Sequence, residues 1–281
     1  MQFTYLFSVF KAFFKHSYHF FLLCSFIVGM HISANSQIVH SSDEWICIPE
    51  QKFKIGNIKG ESDEKPSKLI QIDSFYILNH EVTNIEYTAF LNYKGLIPDS
   101  ISYLIDIFGN WRNQKSRIIF DGNHYRAEKG FEQFPVNFVS WYGANEYCKW
   151  VNGRLPSEAE WELAAKNGFN KLDSSHLDSM VWQKNNSNLE CHLIGTKSAD
   201  NIGNYDMLGN LAEWCNDWYS PTSYKKIKRK NPFGNQNGDL KVYRGGSFAN
   251  DIDLKTITNR KANRPDHQNV LIGFRVVRNF R

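Results

Sequence analysis

Gly153-Arg154-Leu155-Pro156-Ser157-Glu158-Ala159-Glu160-Trp161-Glu162 is the stretch from which the rest of the chain can be read. Asn152-Gly153 is a helix stop, because glycine takes the left-handed backbone that closes a last turn. Ser157 and Glu160 stand at capping-box spacing: the serine hydroxyl accepts from the amide three residues on, and the glutamate reaches back to the serine amide. A helix is therefore predicted from Ser157, carried by Ala164 and Ala165 and ended by Gly168. The stop at Asn152-Gly153 closes another helix that begins near Ser140, with Trp141, Ala144, Cys148 and Val151 at helical spacing.

Further upstream, Thr83-Asn84-Ile85-Glu86 is a second capping box, followed by Tyr87, Phe90 and Leu91 as an apolar face. Trp45–Pro49 and Lys52–Gly56 read as two short strands around a turn, and the alternation in Ile70–Ile77 reads as one strand with a buried face. Asp121-Gly122 marks a hairpin joining Arg117–Phe120 to His124–Ala127. Between Gly60 and Ser67, and through most of the chain after Gly168, polar and turn-forming residues dominate. Three helices, short strands and much ordered loop describe an α+β class, and no linker or repeat divides residues 37–281. That span is expected to be one domain.

The first 36 residues differ in kind. Lys11, Lys15 and His16 precede an apolar run from Phe20 to Met30, followed by Ser33-Ala34-Asn35-Ser36, the pattern of a signal peptide cleaved before Gln37. The apolar run is too short to span a bilayer. Leu23 before Cys24 argues against lipid attachment, which wants a small residue there. The expected destination is export: periplasm, outer membrane or extracellular space.

Aromatic residues make up 15% of the 281 residues and charged residues 22%, which supports a packed core and excludes global disorder. A net charge of +4 singles out no anionic partner, and no nucleic-acid-binding signature is present. The basic run Lys225, Lys226, Lys228, Arg229 and Lys230 reads as a solvated loop, and the tryptophans as core. Past the leader, Cys47, Cys148, Cys191 and Cys215 allow three complete disulfide pairings, and none has the CxxC spacing of a zinc site. Cys148 falls on an apolar helix stripe and is expected to be a buried free thiol.

From Ile46 to Arg278 the order of motifs resembles the formylglycine-generating-enzyme (sulfatase-modifying factor) family. The resemblance is carried by Ile48-Pro49 with Phe53–Gly56, by Phe75-Tyr76-Ile77 running into His80–Asn84, and by Pro135-Val136 through Trp150. The string Gly153–Glu162 is the most specific, followed by Asn204–Asn210 with Glu213-Trp214, then Arg244-Gly245-Gly246-Ser247-Phe248 and Gly273-Phe274-Arg275. The resemblance implies a C-type-lectin-like fold, loop-rich with few short helices and strands.

The resemblance also implies an active site that this chain lacks in part. Aerobic members bind copper through two cysteines near the C-terminus, and paired thiolates suit soft Cu(I). Asn250 holds the first of those positions, and Lys255, or Thr256 if the register slips by one, holds the second. No cysteine follows Cys215. A family tryptophan is replaced by Ala212, while Ser247 is retained. No copper and no formylglycine generation are therefore expected. Another branch holds iron with three histidines. Among His40, His80, His124, His176, His192 and His267 no pair stands at i, i+3 or i, i+4, and no additional helical domain is expected within residues 37–281. Ser247 with His267 is the other nucleophile-and-base pairing to be weighed.

A structural calcium site is implied by the loop Asp206–Glu213: the side chains of Asp206 and Glu213 and the carbonyls of Gly209 and Leu211. Calcium takes six to eight hard oxygens in flexible geometry, which a glycine-containing loop can supply. A further family calcium site has no match in Val181–Asp200. Two function classes follow. One is an exported non-catalytic envelope module that binds a protein or glycan, with Asn250–Asn269 as the display surface. Family members of that kind occur in gliding-motility and secretion machinery and as variable receptor-like proteins. The other is a non-heme iron oxidase or protein-maturation enzyme with its site elsewhere than the copper position.

Overall fold

The computed structural model describes residues 40–170, 174–235 and 237–280, so the expected leader at 1–36 lies outside the described residues. In chain order the elements are β1 (Trp45–Ile48), β2 (Gln51–Ile55), β3 (Lys68–Ile72), β4 (Phe75–Leu78), α1 (Asn84–Lys94), α2 (Pro98–Ile101), β5 (Asn110–Trp111) and β6 (Gln114–Lys115). There follow β7 (Ile118–Phe120), β8 (Tyr125–Ala127), α3 (Trp141–Trp150), α4 (Glu158–Gly168), α5 (Leu177–Met180), β9 (Ala212–Trp218) and α6 (Ser223–Lys226). β10 (Lys241–Arg244), β11 (Lys261–Asn263), β12 (Ile272–Gly273) and β13 (Val277–Asn279) complete the α+β fold.

The capping residues act as their sequence demands. Thr83 accepts from the Glu86 amide at 3.4 Å while Glu86 returns an oxygen to the Thr83 amide at 2.7 Å, starting α1. Ser157 and Glu160 do the same for α4, at 3.2 and 2.8 Å, and Ser140 caps α3 through the Gly143 amide. Gly95 closes α1 in the left-handed region at φ 63°. The β7–β8 hairpin turns at Asp121-Gly122, with Phe120 paired to Tyr125.

The strand expected over Ile70–Ile77 is two strands in different sheets. β3 pairs with β2, and β4 lies between β1 and β13. The break falls at Asp73-Ser74, where both residues are diverted into lateral hydrogen bonds: the Asp73 amide donates to Asn231 Oδ1 and Ser74 Oγ accepts from Glu50 N. Ile70 and Ile72 share one phase of the alternation and Phe75 and Ile77 the other, so the break coincides with a change of phase at Asp73-Ser74. The second larger sheet has the order β11-β10-β9-β12, with β12 parallel to β9.

Among the described residues two large apolar clusters and a smaller one around Phe138, Leu211, Phe248 and Val270 fill the interior. Tyr87 and Phe90 of α1 meet Tyr147 of α3 and Phe274 in edge and stacked contacts 5.3–6.1 Å between ring centres. Trp161 of α4 packs with Ile55, Phe75 and Val242. Cys148 is a buried free thiol, and Cys47, Cys191 and Cys215 are free as well.

The acidic residues of the Gly153–Glu162 string form a buried ionic framework. Arg154 grips Glu160 with two bonds of 2.7 Å. Glu158 accepts from Arg244 at 2.6 Å and twice from Arg260 at 2.7 Å. Glu162 accepts from Arg244 at 2.8 Å and from the Gly56 amide at 2.7 Å. A buried carboxylate survives only when paired and hydrogen-bonded, and each of these is. Among the described residues no helix is long and apolar enough to cross a membrane.

Candidate functional site

The consecutive glycines Gly245 and Gly246 both take positive φ, 93° and 69°, and so turn the chain sharply out of β10. A Cβ at Gly246 would stand 2.5 Å from Ile252 Cδ1, so the turn also requires the absence of a side chain. This delivers Ser247 to an open cleft of about 360 Å³ whose lining includes Ala212, Ser247, Asn250, Thr256, Lys261 and Asn269. Ser247 is 1% exposed. Its hydroxyl donates to Asn250 Oδ1 at 2.8 Å, and its amide donates to the same oxygen at 2.9 Å. The hydroxyl proton is thus committed to an amide oxygen, which is no base.

Ala212, Ser247 and Asn250, each placed at this centre by the resemblance, do meet at the cleft. Lys255 does not. It is exposed on the single turn Leu254–Ile257, while Thr256, the alternative register, lines the cleft. The turn is capped by Asp253, which accepts from the amides of Lys255 and Thr256, and this fixes which of the two faces inward. His267 lies against Asn269 Nδ2 at 3.2 Å, and Ser247 is bonded to Asn250, so no serine–histidine couple forms between them. Around the cleft four asparagines stand among apolar groups such as Ile252 and Leu271, with Asp251 and Lys261 as its charges besides Arg244, which is bound inward to Glu158 and Glu162.

The Asp206–Glu213 loop is buried beneath β9 and Arg275. Asp206 sits at φ 56° and Gly209 at φ 78°, and a Cβ on Gly209 would meet the Trp182 carbonyl at 2.2 Å. Asp206 Oδ2 accepts from the Gly195 amide at 2.9 Å, and its Oδ1 is buried without a partner. Glu213 binds Arg275 at 2.6–2.8 Å and Trp161 Nε1 at 2.7 Å. The Leu211 amide donates to Glu81 Oε1 at 2.9 Å, and Asn210 Nδ2 donates to Glu81 Oε2 at 2.6 Å. Burial, helped by the charge of Asp206 and Glu213, holds the Glu81 carboxyl far above the usual carboxylate range. Burial likewise raises Asp206 to about 6, against the pull of the Gly195 amide and Arg275.

Glu213 is paired directly with Arg275, whose charge also reaches Asp206 and Glu81. Asp206 Oδ1 is open to a hard cation, whereas both Glu213 oxygens already accept from Arg275 and Trp161, so Glu213 would have to exchange partners to join it. Neither Glu81 nor Arg275 is assigned to this loop by spacing or by the resemblance. Their signal was only their place in two motif strings, because residues 129 and 62 positions from their partners cannot be joined by spacing.

Residues 32–280 match the model of the sulfatase-modifying factor enzyme 1-like domain. The chain is 32% identical over 242 residues to a serine/threonine-protein kinase pkn1 of Chlamydia pneumoniae, covering 84% of this chain and 38% of that protein. The chain thus spans well under half the length of that relative. It is 28% identical to a formylglycine-generating enzyme of Streptomyces coelicolor, covering 81% of this chain and 87% of the other. In structure it is similar to PvdO from Pseudomonas aeruginosa, with a TM-score of 0.69, 19% identity, and coverage of 88% and 98%.

Proposed function

The chain belongs to the sulfatase-modifying factor enzyme 1-like family, and we propose that it serves there as an exported, non-catalytic module that binds a protein or glycan partner at the cell envelope. The observation that carries this reading is the Ser247–Asn250 bond. At the centre of the cleft, the side chain that the resemblance ties to oxygen chemistry is closed onto an asparagine. Amides, hydroxyls, Asp251 and Lys261 set beside apolar groups make the cleft a recognition surface able to donate to and accept from a backbone or sugar hydroxyls. The residues lining the cleft include neither thiol nor imidazole for a redox metal, so the oxidase alternative would need its site elsewhere.

A calcium ion held by Asp206, Glu213 and the carbonyls of Gly209 and Leu211 belongs to the same proposal. It would fix the loop that leads into β9 and give Asp206 Oδ1 a partner. The leader-like residues 1–36 support export to the periplasm, outer membrane or extracellular space.

The test is a titration of the full-length mature chain against neutral oligosaccharides and an extended peptide library, with Asn250→Arg and Asn269→Arg filling the cleft. Binding that weakens at least about tenfold in both variants supports the module. Oxidation of a cysteinyl peptide in air with repeated turnover, with or without added copper, overturns it.

A further inference from the structure

Away from the cleft, the segment before β1 folds against the start of α1 and brings two histidines and two glutamates together. His40 is 6% exposed and His80 7%, so neither imidazole is a surface group. His40 Nδ1 stands 3.4 Å from Glu86 Oε1 and 3.5 Å from Glu44 Oε2. His80 Nε2 stands 3.9 Å from Glu44 Oε1 and 4.0 Å from Glu86 Oε1. One ligand atom from each of His40, Glu44 and His80 can be chosen so that all three lie within 4.8 Å of one another.

These separations distinguish two accounts of the cluster. A charge-assisted bond between imidazolium and carboxylate closes to about 2.7–2.9 Å. Donors arranged about one tetrahedral ion, each about 2.0–2.1 Å from it, are instead about 3.3 Å apart. The closer pairs match the second distance, and the wider ones need only small side-chain adjustment.

The surroundings orient the ligands. His80 Nδ1 lies 2.9 Å from the Glu81 carbonyl. As that ring nitrogen can only donate to a carbonyl, the lone pair is left on Nε2, facing the carboxylates. Metal-binding histidines are commonly fixed in this way. Glu86 divides its oxygens, with Oε2 on the Thr83 amide and Oε1 towards the histidines. Glu44 Oε2 is steadied by the Ser41 amide at 2.7 Å, and the Glu44 carbonyl accepts from Asn79 at 2.8 Å.

From this arrangement we propose a second metal site, distinct from the calcium loop, in which His40, Glu44, His80 and Glu86 bind one divalent transition ion of the zinc class. Imidazole nitrogens select such an ion over calcium, whose ligands are all oxygen. The ion would clip residues 40–44 to the β4–α1 junction, with a structural role independent of any chemistry in the cleft.

The experiment uses the full mature chain, stripped with a chelator and titrated with Zn²⁺ alone against a chromogenic competitor. One Zn²⁺ per chain is expected, with a rise in melting temperature. Co²⁺ should give the intense visible absorption of a tetrahedral site. His80→Gln and His40→Ala should each weaken Zn²⁺ binding at least about 100-fold, as loss of even a supporting group can approach that figure. Glu44→Gln, altered at a partly exposed side chain, guards against loss of fold in the histidine variants and should weaken binding at least about tenfold. Asp206→Ala should keep Zn²⁺ binding, which separates this site from the calcium loop. Failure of the folded wild-type chain to take up stoichiometric Zn²⁺, or unchanged binding in Glu44→Gln together with either folded histidine variant, overturns the proposal.

Discussion

Asp217, on β9, offers the clearest pH test of the buried ionic framework. It is 5% exposed, and its Oδ2 accepts from the Glu158 amide at 2.8 Å. Burial opposes ionisation of Glu158 too, but the guanidinium groups of Arg260 and Arg244 outweigh it and hold that carboxylate low. Asp217 has no such pair. Burial first, then the charges of Glu158 and Glu160, push its carboxyl up to about 7, with Arg260 only partly opposing. Lys241, also nearby, is pushed down to about 8 by burial.

Because the folded pKa lies above the unfolded one, the contribution to stability is complete below about pH 4 and is lost as pH rises through 7. Each pH unit in that window costs about 1.4 kcal/mol, so about 3 kcal/mol should disappear between pH 5 and pH 8. Asp217→Asn keeps an oxygen for the Glu158 amide and removes the titration. Urea unfolding at both pH values isolates the effect as the difference between wild type and variant. That difference should swing by about 3 kcal/mol towards the variant at pH 8. A constant difference, or a swing the other way, would show that Asp217 is ionised in the folded chain and refute the reasoning.

Two further outcomes follow from the Asp206–Glu213 loop. Arg275→Met should destabilise the fold by about 3–5 kcal/mol in denaturant titration, because it leaves Glu213 ionised in the core with only the Trp161 indole as a strong donor. Adding Glu213→Gln should recover part of that loss, and no recovery would mean that the pair is not the cause. Ca²⁺ added to chelated protein at 100 times its dissociation constant should stabilise it by about 2.7 kcal/mol, read as a higher melting temperature. Asp206→Ala should abolish the shift, and a shift that persists removes Asp206 from the ligand set.

Local signals were the legible part of this fold. Thr83/Glu86 and Ser157/Glu160 reach three residues, and the Asp121-Gly122 hairpin is equally short-range, so all three could be read without a partner. The Asp73-Ser74 break shows locally only as a change of alternation phase between Ile72 and Phe75, and the groups that hold it, Asn231 and Glu50, stand 158 and 24 residues away. Thr256 rather than Lys255 facing the cleft depends on the Asp253 cap, which a count from the glycine pair does not include. The His40 cluster was missed because histidine spacing was compared only with histidine. His40 and Glu44 stand at i, i+4, and that mixed spacing was the available signal.

The strings that name the family are mostly the strings that hold the fold. Glu158, Glu160 and Glu162 from one motif meet Arg154, Arg244 and Arg260, while Glu213 from another meets Arg275 of a third. Removing one partner from a buried pair costs about 3–5 kcal/mol, a large share of the 5–15 kcal/mol that holds a domain together. Ser247, Asn250 and Ala212 belong to no such pair, so their identities can change while the framework stays intact. A chain under these constraints keeps its scaffold legible through any change in what its cleft does. Matching these motifs is therefore strong evidence for the architecture and weak evidence for a reaction, and the function has to be decided by the few side chains that face the cleft.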